Sequence, residues 1–120
     1  MKLYIIRHGE TSWNKAKKLQ GRKDIMLDAD GIRLAELTGE GMKDIDFDLV
    51  ISSPLMRARQ TAELVLAGRE IPMITDKRII EMSFGKWEGE SVRHSEIVTE
   101  EFADKFFHDP YHCPKAPGGE

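Results

Sequence analysis

The sequence predicts an α/β fold in which a parallel sheet is the middle of three layers and helices flank it. Three short apolar segments, at residues 2–7, 48–52 and 71–75, have the β-branched composition of strands. Two helical patterns separate them, and this alternation is typical of a parallel sheet with right-handed crossovers. The length of 120 residues fits a single domain, which we place at residues 1–120.

The first strand ends in polar residues. The run from Leu3 to Ile6 lacks polar alternation, which favours a parallel strand buried on both faces, and Arg7, His8 and Gly9 follow it. Ligands of open α/β sheets bind beyond the carboxyl ends of such strands. Gly9 has no Cβ and would let an anion approach the neighbouring imidazole. We therefore expect a binding site at this strand end.

A long polar loop, residues 8–27, leads to the first predicted helix. Asp28 or Asp30 can cap this helix. Because Gly39 and Gly41 can each end a helix, the sequence does not fix its last residue. Its apolar positions are Ile32, Leu34, Ala35 and Leu37.

The segment at residues 48–52 reads as a second buried strand, followed by a helix. Ser53 is a potential cap and Pro54 suits the first helical position, with the helix ending at Gly68. The third strand contains Pro72, so we place it at a sheet edge. The apolar helix positions are Leu55, Ala58, Ala62, Val65 and Leu66.

The last third of the chain is predicted to be a loop, a helix and a second loop. Residues 78–90 carry two aromatic residues and two glycines and form the first loop. Ser91 or Ser95 can cap a helix that ends before Asp109. Its apolar positions are Ile97, Phe102 and Phe106. The proline-rich residues 110–120 form the second loop.

The composition is that of an ordinary globular protein. A net charge of -3 indicates neither a nucleic-acid partner nor a membrane partner. No signal-peptide or membrane-spanning segment is present, so we expect a cytoplasmic protein. His108, His112 and Cys113 lie close together, but no second ligand cluster accompanies them. We expect no metal and no cofactor.

Four blocks of the sequence resemble the histidine phosphatase superfamily, also called the phosphoglycerate mutase-like family. They occur in the family's order and cover residues 1 to 90. The blocks are Arg7-His8-Gly9-Glu10-Thr11 with Trp13-Asn14, Gln20-Gly21, Ser52-Ser53-Pro54-Leu55-Met56-Arg57-Ala58 with Thr61-Ala62, and Glu81-Met82-Ser83-Phe84-Gly85-Lys86-Trp87-Glu88-Gly89.

The chemistry of phosphate esters explains why these residue types are needed. A phosphomonoester dianion repels anionic nucleophiles, whereas a neutral imidazole such as that of His8 can attack its phosphorus. Arg7 and Arg57 carry planar guanidinium groups that match phosphate oxygens. Spacing alone, however, favours an exposed helix arginine at position 57. The resemblance assigns both arginines to the catalytic site.

The departing alkoxide requires a proton. Glu81 lies between Ile79-Ile80 and Phe84, so we expect it to be partly buried and protonated often enough to act as an acid. The resemblance favours Glu81, while Glu10 and Glu88 are alternatives. It also implies substrate binding by Asn14, Gln20 and Gly21, although loop hydrogen bonding explains Gln20 about as well.

The resemblance thus implies a metal-independent phosphomonoester hydrolase that acts on a small phosphorylated metabolite through a phosphohistidine. The loop from Glu81 to Gly89 resembles the phosphatase branch of the family. A phosphoglycerate mutase-type phosphotransferase is the first alternative. A non-catalytic phosphate-binding fragment is the second.

The family has a second catalytic histidine, on a later strand that lies between the first two strands. The sequence ends before that point, at Pro117-Gly118-Gly119-Glu120, so we expect an N-terminal portion of a longer domain with impaired activity. An empty slot in a sheet leaves backbone groups unpaired. We therefore expect the first and second strands to pair directly, or a homodimer in which another copy supplies the missing edge.

Overall fold

The computed structural model describes residues 1–120, which form two compact units. The first unit contains residues 1–11 and 24–80, and the second contains residues 12–23 and 81–120. The loop predicted at residues 8–27 thus contributes its two ends to the first unit and its middle to the second. None of the helices combines the length and the apolar character needed to cross a membrane.

Two helices and a parallel strand pair build the first unit. Helix α2, Ala29–Gly41, is capped by Asp28, one of the two predicted candidates, whose carboxylate accepts a 2.9 Å hydrogen bond from the amide of Gly31. Strands β1, Val50–Ser52, and β2, Met73–Thr75, pair in parallel. The α/β class with a parallel sheet and flanking helices is therefore confirmed.

Helix α3, Met56–Leu66, packs against α2. A Cβ at Gly39 would lie 2.8 Å from the carbonyl oxygen of Val65, so glycine permits the close approach of the two backbones. Gly39 therefore lies inside α2, at its contact with α3, and not at the helix end.

The predicted start of α3 is two residues too early. Ser53 and Pro54 lie in the preceding turn, and the cap position is Leu55, whose side chain makes no capping hydrogen bond. The Ser53 hydroxyl accepts instead from the Leu55 amide at 3.4 Å. The predicted end near Gly68 is correct, since Ala67 and Gly68 both adopt positive φ.

The prediction of a strand at residues 2–7 is wrong. No strand is assigned there, and Leu3 and Ile5 are 77% and 87% exposed. A strand needs a hydrogen-bonded neighbour, and β1 forms its ladder with β2. Direct pairing of the first and second predicted strands is therefore also wrong. Nor is β1 the buried strand that we expected, because Ile51 is 52% exposed.

The second unit contains one short and one longer helix. Helix α1, Ser12–Lys15, lies in the predicted loop, and α4 spans Glu100–His108. The cap of α4 is Thr99, which accepts from the Phe102 amide at 3.2 Å, rather than Ser91 or Ser95. The helix ends before Asp109, as predicted.

An aromatic cluster forms the core of the second unit. Phe102 is 2% exposed, and its ring centroid lies 4.7 Å from that of Trp87 and 5.4 Å from that of Phe106. The Trp87 ring packs edge to face against Phe102 and the Phe106 ring stacks on it, and both geometries add to the stabilisation from burial. The other buried members are Leu19, Phe84, Val92, Val98 and Ala116.

Candidate active site

The predicted site residues divide between the two units. Arg7, His8 and Arg57 belong to the first unit. Glu81 and the predicted substrate-binding residues belong to the second, and these are Asn14, Gln20 and Gly21.

His8 lies in an irregular turn after the exposed N-terminal segment, and its ring is partly buried, whereas Arg7 is exposed. Its Nδ1 lies 2.7 Å from the carbonyl oxygen of Gly9. A carbonyl can only accept, so Nδ1 donates the proton in the neutral ring. In that tautomer Nε2 carries the lone pair, which is the form a nucleophilic imidazole requires.

Thr61 connects this turn to helix α3. The amide of Gly9 donates to Thr61 Oγ1 at 2.9 Å, and the Thr61 hydroxyl donates to the carbonyl oxygen of Arg57 at 2.7 Å. Gly9 and Thr61 are both buried. The structure thus brings the His8 turn and the Arg57 turn together through one hydroxyl. Sequence reasoning did not give Thr61 a site role, although it lies one helical turn after Arg57.

Two glycines allow the same turn to pack on helix α2. A Cβ at Gly9 would lie 2.8 Å from the carbonyl oxygen of Gly31, and a Cβ at Gly31 would lie 2.1 Å from that of Glu10. Neither position has room for a side chain. Gly31 was not singled out in the sequence, because a glycine in the first turn of a helix has no distinctive local pattern.

Arg57 is almost completely buried, with 2% of its surface exposed. It lies in the first turn of α3, on the buried face that also contains Thr61 and Val65. Arginine is rarely buried to this extent unless its charge is matched by neighbouring groups. The alternative of an exposed helix arginine is therefore wrong.

The predicted substrate-binding residues of the second unit follow one another along the chain. Asn14 is partly buried in α1, and Gln20 and Gly21 are buried. Gly21 has φ of +50°, a conformation that favours glycine.

Glu81 is exposed, so the expectation of partial burial is wrong. Ile79, which we expected to cover it, is itself 53% exposed at the end of a single 3-10 turn. The Glu81 carboxylate accepts from the amide of Met82 at 2.9 Å. The side chain is thus held by its own loop in contact with solvent.

The two alternative acids, Glu10 and Glu88, have different surroundings. Glu10 places a carboxylate oxygen within 4.8 Å of those of Asp28 and Asp30, at the start of α2. Glu88 accepts hydrogen bonds from three groups of the loops around it, as described below.

The histidines and the cysteine near the C-terminus have other partners. His108 Nδ1 lies 3.0 Å from a carboxylate oxygen of Asp104, and His112 Nδ1 lies 2.8 Å from one of Asp109. Cys113 packs against the aromatic core, and burial raises the pKa of its thiol. A protonated thiol is a poor zinc ligand, because zinc binds the thiolate.

Comparison with known proteins identifies the family. The family model described as "Histidine phosphatase superfamily (branch 1)" matches residues 3–120. A protein of Bacillus subtilis named "Uncharacterized phosphatase PhoE" is 42% identical over 85 residues, which are 71% of this chain and 44% of that protein. A protein of Proteus mirabilis named "Probable phosphoglycerate mutase GpmB" is 40% identical over 85 residues, which are 71% and 40% of the two chains.

The fold is also similar to that of a solved phosphatase structure. The α-ribazole phosphatase of Shigella flexneri superimposes with a TM-score of 0.82 at 36% sequence identity, over 96% of this chain and 56% of that one. The chain therefore spans about half the length of the proteins it matches.

Proposed function

The chain belongs to the histidine phosphatase superfamily, and on this basis we propose that it is part of a phosphomonoester hydrolase. The substrate would be a small phosphorylated metabolite, and the intermediate a phosphohistidine at His8. The relatives named as phosphatases support hydrolysis as the reaction.

The hydrogen bond of the His8 ring is the main structural support for this proposal. The hydrogen bond from Nδ1 to Gly9 orients the ring and leaves the lone pair on Nε2. The bond from Gly9 through Thr61 to Arg57 ties the imidazole turn to a buried arginine. Attack on a phosphate dianion requires a neutral nucleophile and positive charge on the phosphate oxygens, which His8 and the arginines would supply.

The reaction would proceed in two steps. His8 Nε2 attacks phosphorus, the bond from phosphorus to the ester oxygen breaks, and the Glu81 carboxyl protonates the departing alkoxide. Water then attacks the phosphohistidine and passes a proton to the Glu81 carboxylate, which releases inorganic phosphate and restores His8. The role of Glu81 rests on the Phe-Gly-x-Trp-Glu-Gly pattern that follows it.

The remaining residues would bind the phosphoryl oxygens. Arg7 and Arg57 supply positive charge, and the burial of Arg57 strengthens its electrostatic effect. Asn14, Gln20 and Gly21 would donate hydrogen bonds to the substrate phosphate. With this charge supplied by the protein, we expect the reaction to need no metal.

Rapid-quench labelling with a 32P-phosphomonoester tests the proposal. We expect an acid-labile, base-stable phosphohistidine that disappears in His8→Ala and persists with excess chelator. His112→Ala, which changes an exposed histidine of the second unit, is the matched control and should keep the label. Labelling that survives in His8→Ala, or that requires added zinc, would contradict the proposal.

A mutase is the second candidate, because the Proteus mirabilis relative carries that name. A mutase returns the phosphoryl group to another hydroxyl of the substrate, whereas a phosphatase releases it to water. The same labelled reaction separates them: free phosphate indicates hydrolysis, and an isomerised phosphoester indicates transfer.

A further inference from the structure

One carboxylate oxygen joins two loops of the second unit. Glu88 Oε1 accepts from the Arg22 amide at 3.0 Å, from the Phe84 amide at 3.2 Å and from the Ser83 hydroxyl at 3.3 Å. An ionised carboxylate is an acceptor only, and its two oxygens suit several donors. Glu88 therefore connects the chain after Gly21 to the chain after Glu81.

Gly21 makes room for this carboxylate. A Cβ at position 21 would lie 2.3 Å from Glu88 Oε1 and 3.0 Å from the amide nitrogen of Phe84. The close approach of the two loops thus depends on a glycine that also has positive φ.

Arg22 holds the same two loops from a second point. Its Nε donates to the backbone carbonyl of Glu81 at 3.0 Å, and its Nη2 donates to Glu120 Oε1 at 2.7 Å. Glu120 in turn accepts from the Ser83 amide at 3.2 Å and donates its own amide to the Ser83 carbonyl at 3.0 Å. The backbone on both sides of Met82 is therefore fixed.

The energetics favour a geometric role for this arrangement over a large contribution to stability. The Arg22 and Glu120 side chains are 41% and 53% exposed, and ion pairs with that exposure contribute little to stability. By contrast, the hydrogen bonds fix the backbone at Glu81, the residue whose carboxyl would have to reach the leaving oxygen.

We propose that Glu88 is a positioning residue for Glu81, acting through the amides of Arg22 and Phe84. This inference rests on the proposed function, in which Glu81 is the acid. Loss of Glu88 should displace the Glu81 carboxyl and impair protonation of the leaving group, while attack by the nucleophile continues.

The dependence on the leaving group tests this inference. p-Nitrophenyl phosphate releases a stable anion that needs no proton, whereas a simple alkyl phosphate releases an alkoxide that does. In Glu88→Ala we expect turnover of the alkyl ester to fall about 10- to 100-fold relative to p-nitrophenyl phosphate, since a general acid contributes about 10²- to 10⁴-fold. Glu88→Gln keeps the accepting oxygen and should restore most of the ratio.

Glu96→Ala, a change at an exposed glutamate of the same unit, is the control and should leave the ratio unchanged. An equal loss of activity on both esters in Glu88→Ala, or a loss in Glu88→Gln as large as in Glu88→Ala, would overturn the inference.

Amide exchange provides a test that does not depend on turnover. The Met82 amide donates to the Glu81 carboxylate, so its exchange rate reports the position of that carboxylate. We expect faster exchange at Met82, Arg22 and Phe84 in Glu88→Ala, with wild-type rates in Glu88→Gln. Unchanged exchange at Met82 in Glu88→Ala would overturn the inference. If wild-type protein forms no phosphohistidine, the proposed function fails, but the exchange result still decides the position of Glu81.

Discussion

The two units position their candidate functional residues by different means. In the first unit, the His8 turn is held by backbone contacts at Gly9 and Gly31 and by the hydroxyl of Thr61. In the second, an aromatic cluster around Phe102 supplies the core, and a glutamate connects the loops beside it. The difference shows that a loop can be held in place by close backbone packing or by buried side chains. Substitutions should therefore destabilise the two units by different amounts.

Removal of Phe102 should have the largest effect. Phe102→Ala leaves a cavity among three aromatic rings, and such changes raise the free energy of the folded state by about 3 to 5 kcal/mol. Near-UV circular dichroism and denaturant unfolding measure the loss. Phe107→Ala, on the same helix at a ring that is 50% exposed, is the control and should cost much less. Equal losses would show that the aromatic cluster is not the core of the second unit.

A methyl group at Gly31 should have the next largest effect. Gly31→Ala would place its Cβ against the backbone of Glu10, and such overpacking costs about 1 to 3 kcal/mol. Gly41→Ala, in the same helix, meets no atom within 4 Å and should stabilise the protein by roughly 0.5 to 1 kcal/mol. Chemical denaturation measures both changes. If the two variants changed stability in the same direction, the close packing at Gly31 would be contradicted.

Thr61→Val should have the smallest effect on stability but a specific effect on the His8 turn. It removes the acceptor of the buried Gly9 amide at constant volume, which costs about 1 to 2 kcal/mol. Amide exchange at Gly9 should accelerate. Thr38→Val is the matched control, since the Thr38 hydroxyl donates only to the carbonyl of Leu34 in its own helix. Unchanged protection of Gly9 in Thr61→Val would argue against the connection to α3.

Local patterns were sufficient to predict several features of this chain. The end of α3 near Gly68 and the end of α4 before Asp109 were predicted correctly, and the cap of α2 was narrowed to two candidates, because capping and termination depend on a few neighbouring residues. The family was also identifiable from four short blocks, since a motif such as Arg7-His8-Gly9 combines residue types that phosphate chemistry requires.

The pairing of the strands could not be predicted in the same way, although β1 and β2 lie within the predicted segments 48–52 and 71–75. The apolar run at residues 3–6 has the composition of a strand, yet pairing depends on a neighbour that is distant in sequence, and β1 pairs with β2. The exposure of Glu81 was mispredicted for the same reason. Ile79 and Ile80 suggested a buried segment, but burial is decided by what packs over a loop.

The sequence by itself determined the chemistry that this chain can offer: an imidazole, guanidinium groups and carboxylates in family-specific motifs, with caps that set the ends of helices. Only the tertiary structure decided that Arg57 is buried, that Thr61 connects its turn to that of His8, and that Glu88 joins two loops. Residue types and helix caps depend on covalent structure and near neighbours. Burial and hydrogen bonds between residues far apart in the chain arise only when the chain is folded.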